Sequence, residues 1–183
     1  MNYSLPTSLE VNGVGYEIRS DYRAALDVFA ALNDPELNPN EKAIALLDII
    51  YVDIDTIPPS DYQAAVDAAL VYLNGGNEET PQRKQPKLVS WEQDFAYIIA
   101  PINKVIGMEV RSVEYMHWWT FLSAYYEIGE CTFSQIVRIR DLLARGKKLD
   151  KSDREWYRRN RHLVDFKTSY TSEETELLKA WGV

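Results

Sequence analysis

At 183 residues and 46% hydrophobic, the chain is long enough to bury a core of its own, as one domain or two small helical lobes, without covalent or metal staples. One cysteine, Cys131, and two histidines exclude an internal disulfide and a closed zinc site of soft ligands, and they suit a reducing cytoplasm. The net charge of −8 is uneven, with 6 Lys/Arg against 14 Asp/Glu in residues 1–90 and 14 of each in 91–183, so the N-terminal half repels nucleic acid and anionic membranes and attracts a basic partner.

Residues 1–13 lack the basic stretch and apolar run of a secretory signal, so export is not expected. The first element signalled is a short β-hairpin. Leu9-Glu10-Val11 and Val14 to Ile18 flank Asn12-Gly13, a pair suited to the φ > 0 positions of a type I′ turn. Its apolar face, Leu9, Val11, Tyr16 and Ile18, must lean on helices, because an isolated hairpin is marginal.

Ser20 then caps a helix with Tyr22, Ala25, Leu26, Phe29 and Leu32 on one face, ended by Asn33-Asp34-Pro35. Asn38, Pro39 and Glu41 combine a cap, a proline at the first helical position and an acid at the third. They open a second helix that buries Ala43, Ile44, Leu47, Ile50 and Tyr51. Pro58, Pro59 and Ser60 start a third, with Tyr62, Ala65, Val66, Ala69 and Leu73 inward, and Asn74-Gly75-Gly76 stops it.

Residues 74–87 contain almost no apolar side chain and cannot offset the entropy of their own ordering, so they read as an exposed linker. The sequence therefore divides into an acidic hairpin-plus-helix lobe (1–73), a linker (74–89) and a C-terminal helical lobe (90–183). Packing of the two lobes into one domain is left open.

Ser90 and Gln93 suggest a capping box for a helix burying Trp91, Phe95, Ile98, Ile102 and Val105, which Pro101 should kink or interrupt before Gly107. Ser112 caps the next helix, with Tyr115, Met116, Trp119, Leu122, Ser123 and Tyr126 on one face. The apolar run from Tyr115 to Tyr126 is shorter than the ~20 residues a bilayer requires. Thr132 with Gln135 starts a helix through Ile136, Ile139 and Leu143 to Gly146, and Ser152 with Glu155 starts another anchored by Trp156 and Tyr157. A last amphipathic segment begins near Thr171 or Ser172 and carries Leu177, Leu178 and Trp181. The fold class expected is mainly α, a bundle of about seven to eight helices with a short N-terminal hairpin.

Several constellations bear on chemistry. Glu114 and His117 have the Glu-x-x-His spacing of carboxylate-bridged metal bundles, but a second copy and two further inward glutamates are wanting. A histidine satisfied by a local hydrogen bond is the preferred reading. Cys131, at a helix start, reads as a small cap-adjacent residue in preference to a nucleophile. No nucleophile elbow, P-loop or dinucleotide fingerprint occurs, so no catalytic, cofactor or metal residue is expected. Ten Lys/Arg between Arg138 and Arg161, with Trp156-Tyr157 among them, read as a solvated or protein-binding face because acids are interspersed. Trp118 and Trp119 point about 100° apart on a helix, so one can fill the core while the other reaches an edge.

Tyr115 to Tyr126, followed by Ile128-Gly129, Phe133 and Ile136 to Arg140, resembles the central motif of the gene-product-fifteen family of long-tailed bacteriophages. Gly146 to Lys151 and Trp156-Tyr157 to Asn160 resemble its basic tail, while Tyr16 to Ile18, Asp21-Tyr22-Arg23 and Trp91 to Asp94 resemble its earlier landmarks. Such proteins are encoded among the tail genes of phages of Gram-positive hosts, near the tape-measure gene, and are similar to tail-assembly chaperones.

The resemblance implies a non-enzymatic, cofactor-free factor of the host cytoplasm. It would shield the tape-measure protein or other tail proteins during tail assembly, or else remain in the virion as a tail or head-tail junction component. Self-association is a further option, and neither nucleic acid nor membrane is an expected partner. Residues singled out for protein contact are Trp118, Tyr125, Tyr126, Trp156, Arg158 and Arg159.

Overall fold

The computed structural model describes residues 4–77, 86–167, 170–172 and 174. They form a two-stranded antiparallel hairpin and eight α-helices joined by short 3-10 turns, which is the expected fold class. By spatial contact they divide into two compact units, the first built from 4–77, 115–119, 170–172 and 174, the second from 86–114 and 120–167. Residues 115–119 thus join the first unit although they lie inside the C-terminal part of the sequence. Half of the linker sequence, 78–85, and the final segment with Leu177, Leu178 and Trp181 lie outside the described residues.

In the first unit, β1 (Ser8–Val11) pairs with β2 (Val14–Glu17) in the register Val11↔Val14 and Leu9↔Tyr16. Asn12 and Gly13 take φ of 49° and 84°, as the type I′ turn demands. Val11 and Ile18 are buried and Leu9 and Tyr16 half-buried, so the apolar face is the one expected. Helices α1 (Tyr22–Asn33), α2 (Pro39–Ile50) and α3 (Tyr62–Leu73) pack in sequence order, and β1 rests on α3. Asn38 and Glu41 form the reciprocal capping box of α2. At the other end of α2, the Arg19 guanidinium donates to the carbonyls of Asp48 (2.6 Å) and Val52 (3.0 Å), among others. A cation there complements the helix dipole.

In the second unit, α4 (Trp91–Ile106) packs on α6 (Thr132–Ala144), and α6 packs on α8 (Arg161–Val164), which follows α7 (Lys151–Arg159). Helix α5 (Trp118–Tyr126) begins in residues assigned to the first unit and continues in the second.

Several local expectations are corrected. Asp21, not Ser20, caps α1, accepting from Arg23 N–H. Ser20 is buried, with its hydroxyl 2.8 Å from that of Tyr115. Helix α5 starts at Trp118 and not after Ser112, because the backbone of residues 116–118 is used elsewhere. Tyr22 N–H donates to Met116 O (2.9 Å), Trp118 N–H to Ser20 O (2.8 Å) and Met116 N–H to the Asp21 carboxylate (3.0 Å). A tertiary bridge here overrides helical periodicity. Cys131 caps α6 in place of Thr132, and Asp150 caps α7 in place of Ser152. Helix α4 runs through Pro101 as one 16-residue helix. Ile44, Val105 and Leu143, expected inside, are 47%, 45% and 41% exposed, whereas Val28 in α1, Leu46 in α2 and Ile99 in α4, not among the expected inward positions, are buried.

Candidate protein-interaction surfaces

His117 organises the start of α5. Its Nδ1 accepts the N–H of Trp119 at 3.0 Å, and its Nε2 lies 2.9 Å from the Pro6 carbonyl. Since Nδ1 must be an acceptor, the proton sits on Nε2 and is donated to Pro6, which defines one neutral tautomer. The imidazole therefore acts as a helix cap and a tether for the N-terminal segment. Both ring nitrogens are engaged, and Glu114 and His117 both precede α5, so their spacing does not set them one turn apart on a helix; among the described residues no group of three or more His, Cys, Asp or Glu side chains that could hold a metal ion converges.

Trp118 is fully buried, donating its indole N–H to Leu73 O (2.9 Å) with its ring 5.9 Å from that of Phe29. This takes it out of any docking surface, because its polar edge and its faces are satisfied inside the first unit. Trp119, half-buried, donates to Tyr72 O (2.8 Å) and stacks on the Tyr72 ring. Burial pushes the Tyr72 hydroxyl well above the usual phenol range, helped by Tyr115 and Asp21.

The second unit holds an aromatic cluster. Tyr125 lies 4.8 Å from the Trp91 ring, 5.8 Å from Phe133 and 5.8 Å from Tyr126, and Trp91 also meets Phe121. Burial pushes the Tyr125 hydroxyl up to about 12, with smaller contributions from Tyr126 and Asp94. Tyr126 is 65% exposed and stands at the end of α5. The loop after it borders a cleft of about 600 Å³ whose other wall is the outer face of α4. Ala96, Ala100 and Val105 supply its apolar surface, Lys104 one charged lip, and Glu127 and Glu130 the other. Pro101 also lines it and has no N–H for the carbonyl of Tyr97, so the α-helical bond that carbonyl would receive cannot form.

The family relationship now has a structural frame. A family model described as Bacteriophage Gp15 protein matches residues 1–166. The chain belongs to that family. No curated protein and no solved structure matches it.

In this Gp15 member the basic stretch is partitioned by ion pairing. Arg140 is buried against Asp94, Arg138 pairs with Asp153, Arg145 with Asp141 (2.6 Å) and Arg161 with Asp165 (2.7 Å). Arg159 approaches Glu155 at 3.8 Å across one exposed helical turn, and Arg158 is exposed beside it. Trp156 is half-buried on the same helix. Burial of the Asp165 carboxyl is outweighed by hydrogen bonds from Tyr157 and Arg161, which hold it below the usual carboxylate range. Tyr125 and Tyr126 are thus brought together in the aromatic cluster, while Trp156, Arg158 and Arg159 share α7.

The Arg140–Asp94 pair was missed by sequence reasoning, although each residue sits in register with an apolar stripe: Asp94 with Ile98 and Ile102, Arg140 with Ile136 and Ile139. A charge in phase with a core face is the signal that points to such a pair. Gp15 charge is also distributed by unit more sharply than by sequence half. The described residues of the first unit contain 13 Asp/Glu against 3 Lys/Arg, a net of −10, and those of the second 11 against 14, a net of +3. No helix of the described residues is long and apolar enough to cross a membrane.

Proposed function

We propose that this Gp15 protein acts in the host cytoplasm as a non-enzymatic tail-assembly factor of a long-tailed phage, covering amphipathic helical segments of the tape-measure protein or other tail proteins. Such clients expose apolar stripes before a tail tube encloses them, and exposed stripes aggregate. The observation that carries the reading is the α4 cleft. Its small alanines permit close approach of a helix backbone, while Lys104 on one lip and Glu127 and Glu130 on the other give a bound helix a preferred orientation. Tyr126, one residue before the lining residue Glu127, supplies an exposed aromatic anchor, and Trp156, Arg158 and Arg159 on α7 offer a charged flank.

The test is co-expression with the tape-measure protein encoded nearby. Wild-type protein raises the soluble yield of the client and elutes with it. The exposed Ala100→Trp substitution, which fills the cleft, abolishes both effects. The protein should be missing from purified virions. Stoichiometric recovery in mature particles would replace this reading with that of a structural tail or head-tail junction component.

A further inference from the structure

The hairpin is more than a cover for the first unit. Ile18 N–H donates to Thr7 O at 2.9 Å, which makes Thr7 and Ile18 a hydrogen-bonded pair. Antiparallel alternation then makes Leu9–Tyr16 and Val11–Val14 the other bonded pairs. The N–H and C=O groups of Gly15, Glu17 and Arg19 consequently point away from β1.

Two of these three residues find partners in the chain after α2. Val52 N–H donates to Glu17 O (3.1 Å), Arg19 N–H donates to Ile50 O (2.7 Å), and Ile18 bridges Tyr51 in antiparallel fashion. Continued two residues further, this ladder would set Ile54 opposite Gly15. Instead Asp53 caps the 3-10 turn Ile54–Thr56 and the chain departs. Gly15 is left on an open edge above a groove of about 450 Å³, lined by Val14, Tyr16, Glu17, Val52, Asp53 and Thr56.

Two further observations concern what that edge accepts. Gly15 has no left-handed φ, and a Cβ built there would meet nothing within 4 Å, so the chain's own packing does not require glycine. A glycine inside a strand that its own fold does not need is characteristic of close approach by another backbone. The rim is apolar and acidic at once: Val14 and Val52 are exposed, Glu17, Asp53 and Asp55 are exposed carboxylates, and the unit carries the net −10 noted above.

We infer that the open edge of β2 is a strand-addition site for an extended partner segment in which lysine or arginine alternates with apolar residues. The partner's backbone pairs with Gly15, its apolar side chains lie on the Val14 and Tyr16 face of β2, and its cations lie on the opposite face with Glu17, Asp53 adding to the acidic surroundings. This site lies in the first unit and is independent of the α4 cleft.

The full-length protein, labelled with nitrogen-15, is titrated with the capped pentapeptide Val-Lys-Val-Lys-Val. The amides of residues 14–17 and 52–56 shift, and the Gly15 amide becomes protected from exchange. The Gly15→Pro change removes the donor at a strand edge, where proline is tolerated and open space receives the ring, and weakens binding about tenfold, as expected for losing one backbone hydrogen bond. Gly15→Ala retains the donor but sets a Cβ where the partner's backbone comes close, and weakens binding less than Gly15→Pro does. If Gly15→Pro disturbs the hairpin amides, the paired changes Glu17→Gln and Asp53→Asn keep the fold and the cap and test the cations alone, lowering affinity and its salt dependence. The same peptide with Glu for Lys does not bind. Unchanged affinity in Gly15→Pro with the hairpin intact, equal binding of the glutamate peptide, or shifts confined to other residues would overturn the inference.

Discussion

The Arg140–Asp94 pair makes the strongest claim on stability. Both side chains are almost wholly buried, at 3% and 1% exposure, and all five guanidinium N–H donors are used. Nε donates to Val164 O (2.7 Å), Nη1 to Leu88 O (2.9 Å) and Asp94 Oδ2 (2.6 Å), and Nη2 to Asp94 Oδ1 (3.0 Å) and Leu163 O (2.9 Å). The carboxylate also accepts Ser90 N–H at 2.9 Å, and the Phe166 ring covers the guanidinium at 4.0 Å. One side chain therefore joins the approach to α4, α4 itself and the end of α8.

Asp94→Ala leaves an uncompensated buried cation and costs about 3–5 kcal/mol. Arg140→Met strands the carboxylate and three carbonyls, with a loss at least as large. A chain of this length loses ~2–4 °C of melting temperature per kcal/mol, so each single variant should melt about 6–20 °C lower by circular dichroism. The double variant Asp94→Leu with Arg140→Met removes both charges together and should lose much less than the sum of the two singles. Additive losses, or an Asp94→Ala cost below about 1 kcal/mol, would refute the assignment of a satisfied and mutually dependent pair.

Three further outcomes follow from local geometry. His117→Ala removes the cap on Trp119 N–H and the tether to Pro6, and should lower stability by about 1–3 kcal/mol in urea unfolding, with the amide of Trp119 losing exchange protection first. Gly76 has φ of 84° and a built Cβ would lie 3.0 Å from Trp119 Cη2, so Gly76→Ala should destabilise by about 1–3 kcal/mol and perturb tryptophan fluorescence. Hydrogen bonds from the Arg111 side chain and backbone hold the Glu109 carboxyl at about 2, down from 4.5. Because its folded value is lowered, its contribution is complete above about 4.5 and is lost as pH falls through about 2. A carbon-detected titration should find that midpoint, and Arg111→Gln should raise it.

Much of this fold was legible because local chemistry and tertiary structure agree. Asn12-Gly13, the Asn38–Glu41 box and the Asn74-Gly75-Gly76 stop are short-range signals, and each acts where its residues predict. Legibility failed where distant backbone claimed the same groups. Tyr115 to Trp118 carry helical periodicity, yet the amide and carbonyl of Met116 and the amide of Trp118 answer to Ser20, Asp21 and Tyr22, ninety or more residues away in sequence; no window of neighbours contains that partner. Caps slipped by one or two residues at Asp21, Cys131 and Asp150 because adjacent polar residues compete for the same orphan N–H groups. For the interaction surfaces, the sequence distinguished exposed Tyr126 from its neighbours only in part, since the face of α5 depends on where the helix begins. Moving the start from Ser112 to Trp118 sends Trp118 and Phe121 inward and Tyr126 outward.

The charge partition bears on how the two proposed docking surfaces would select. Screening reduces attraction beyond about 8 Å at physiological ionic strength, so a partner is sorted by the charges at each surface and only its approach is guided by the net charge of the unit. At the β2 edge the carboxylates Glu17, Asp53 and Asp55 outnumber Arg19, whose guanidinium is held by the carbonyls of Asp48, Tyr51 and Val52, so an acidic segment is disfavoured in either orientation. At the α4 cleft Lys104 faces Glu127 and Glu130 across the same groove. A helix with acid on one flank and base on the other is accepted in one direction and repelled in the reverse. If the proposed function and the inferred strand-addition site hold, the first surface would discriminate by composition and the second by polarity. A client with an amphipathic helix and a basic extended segment would engage the two without competition, and reversing the sign of Glu17 and Asp53 should weaken the extended segment's binding while leaving the helix's unchanged.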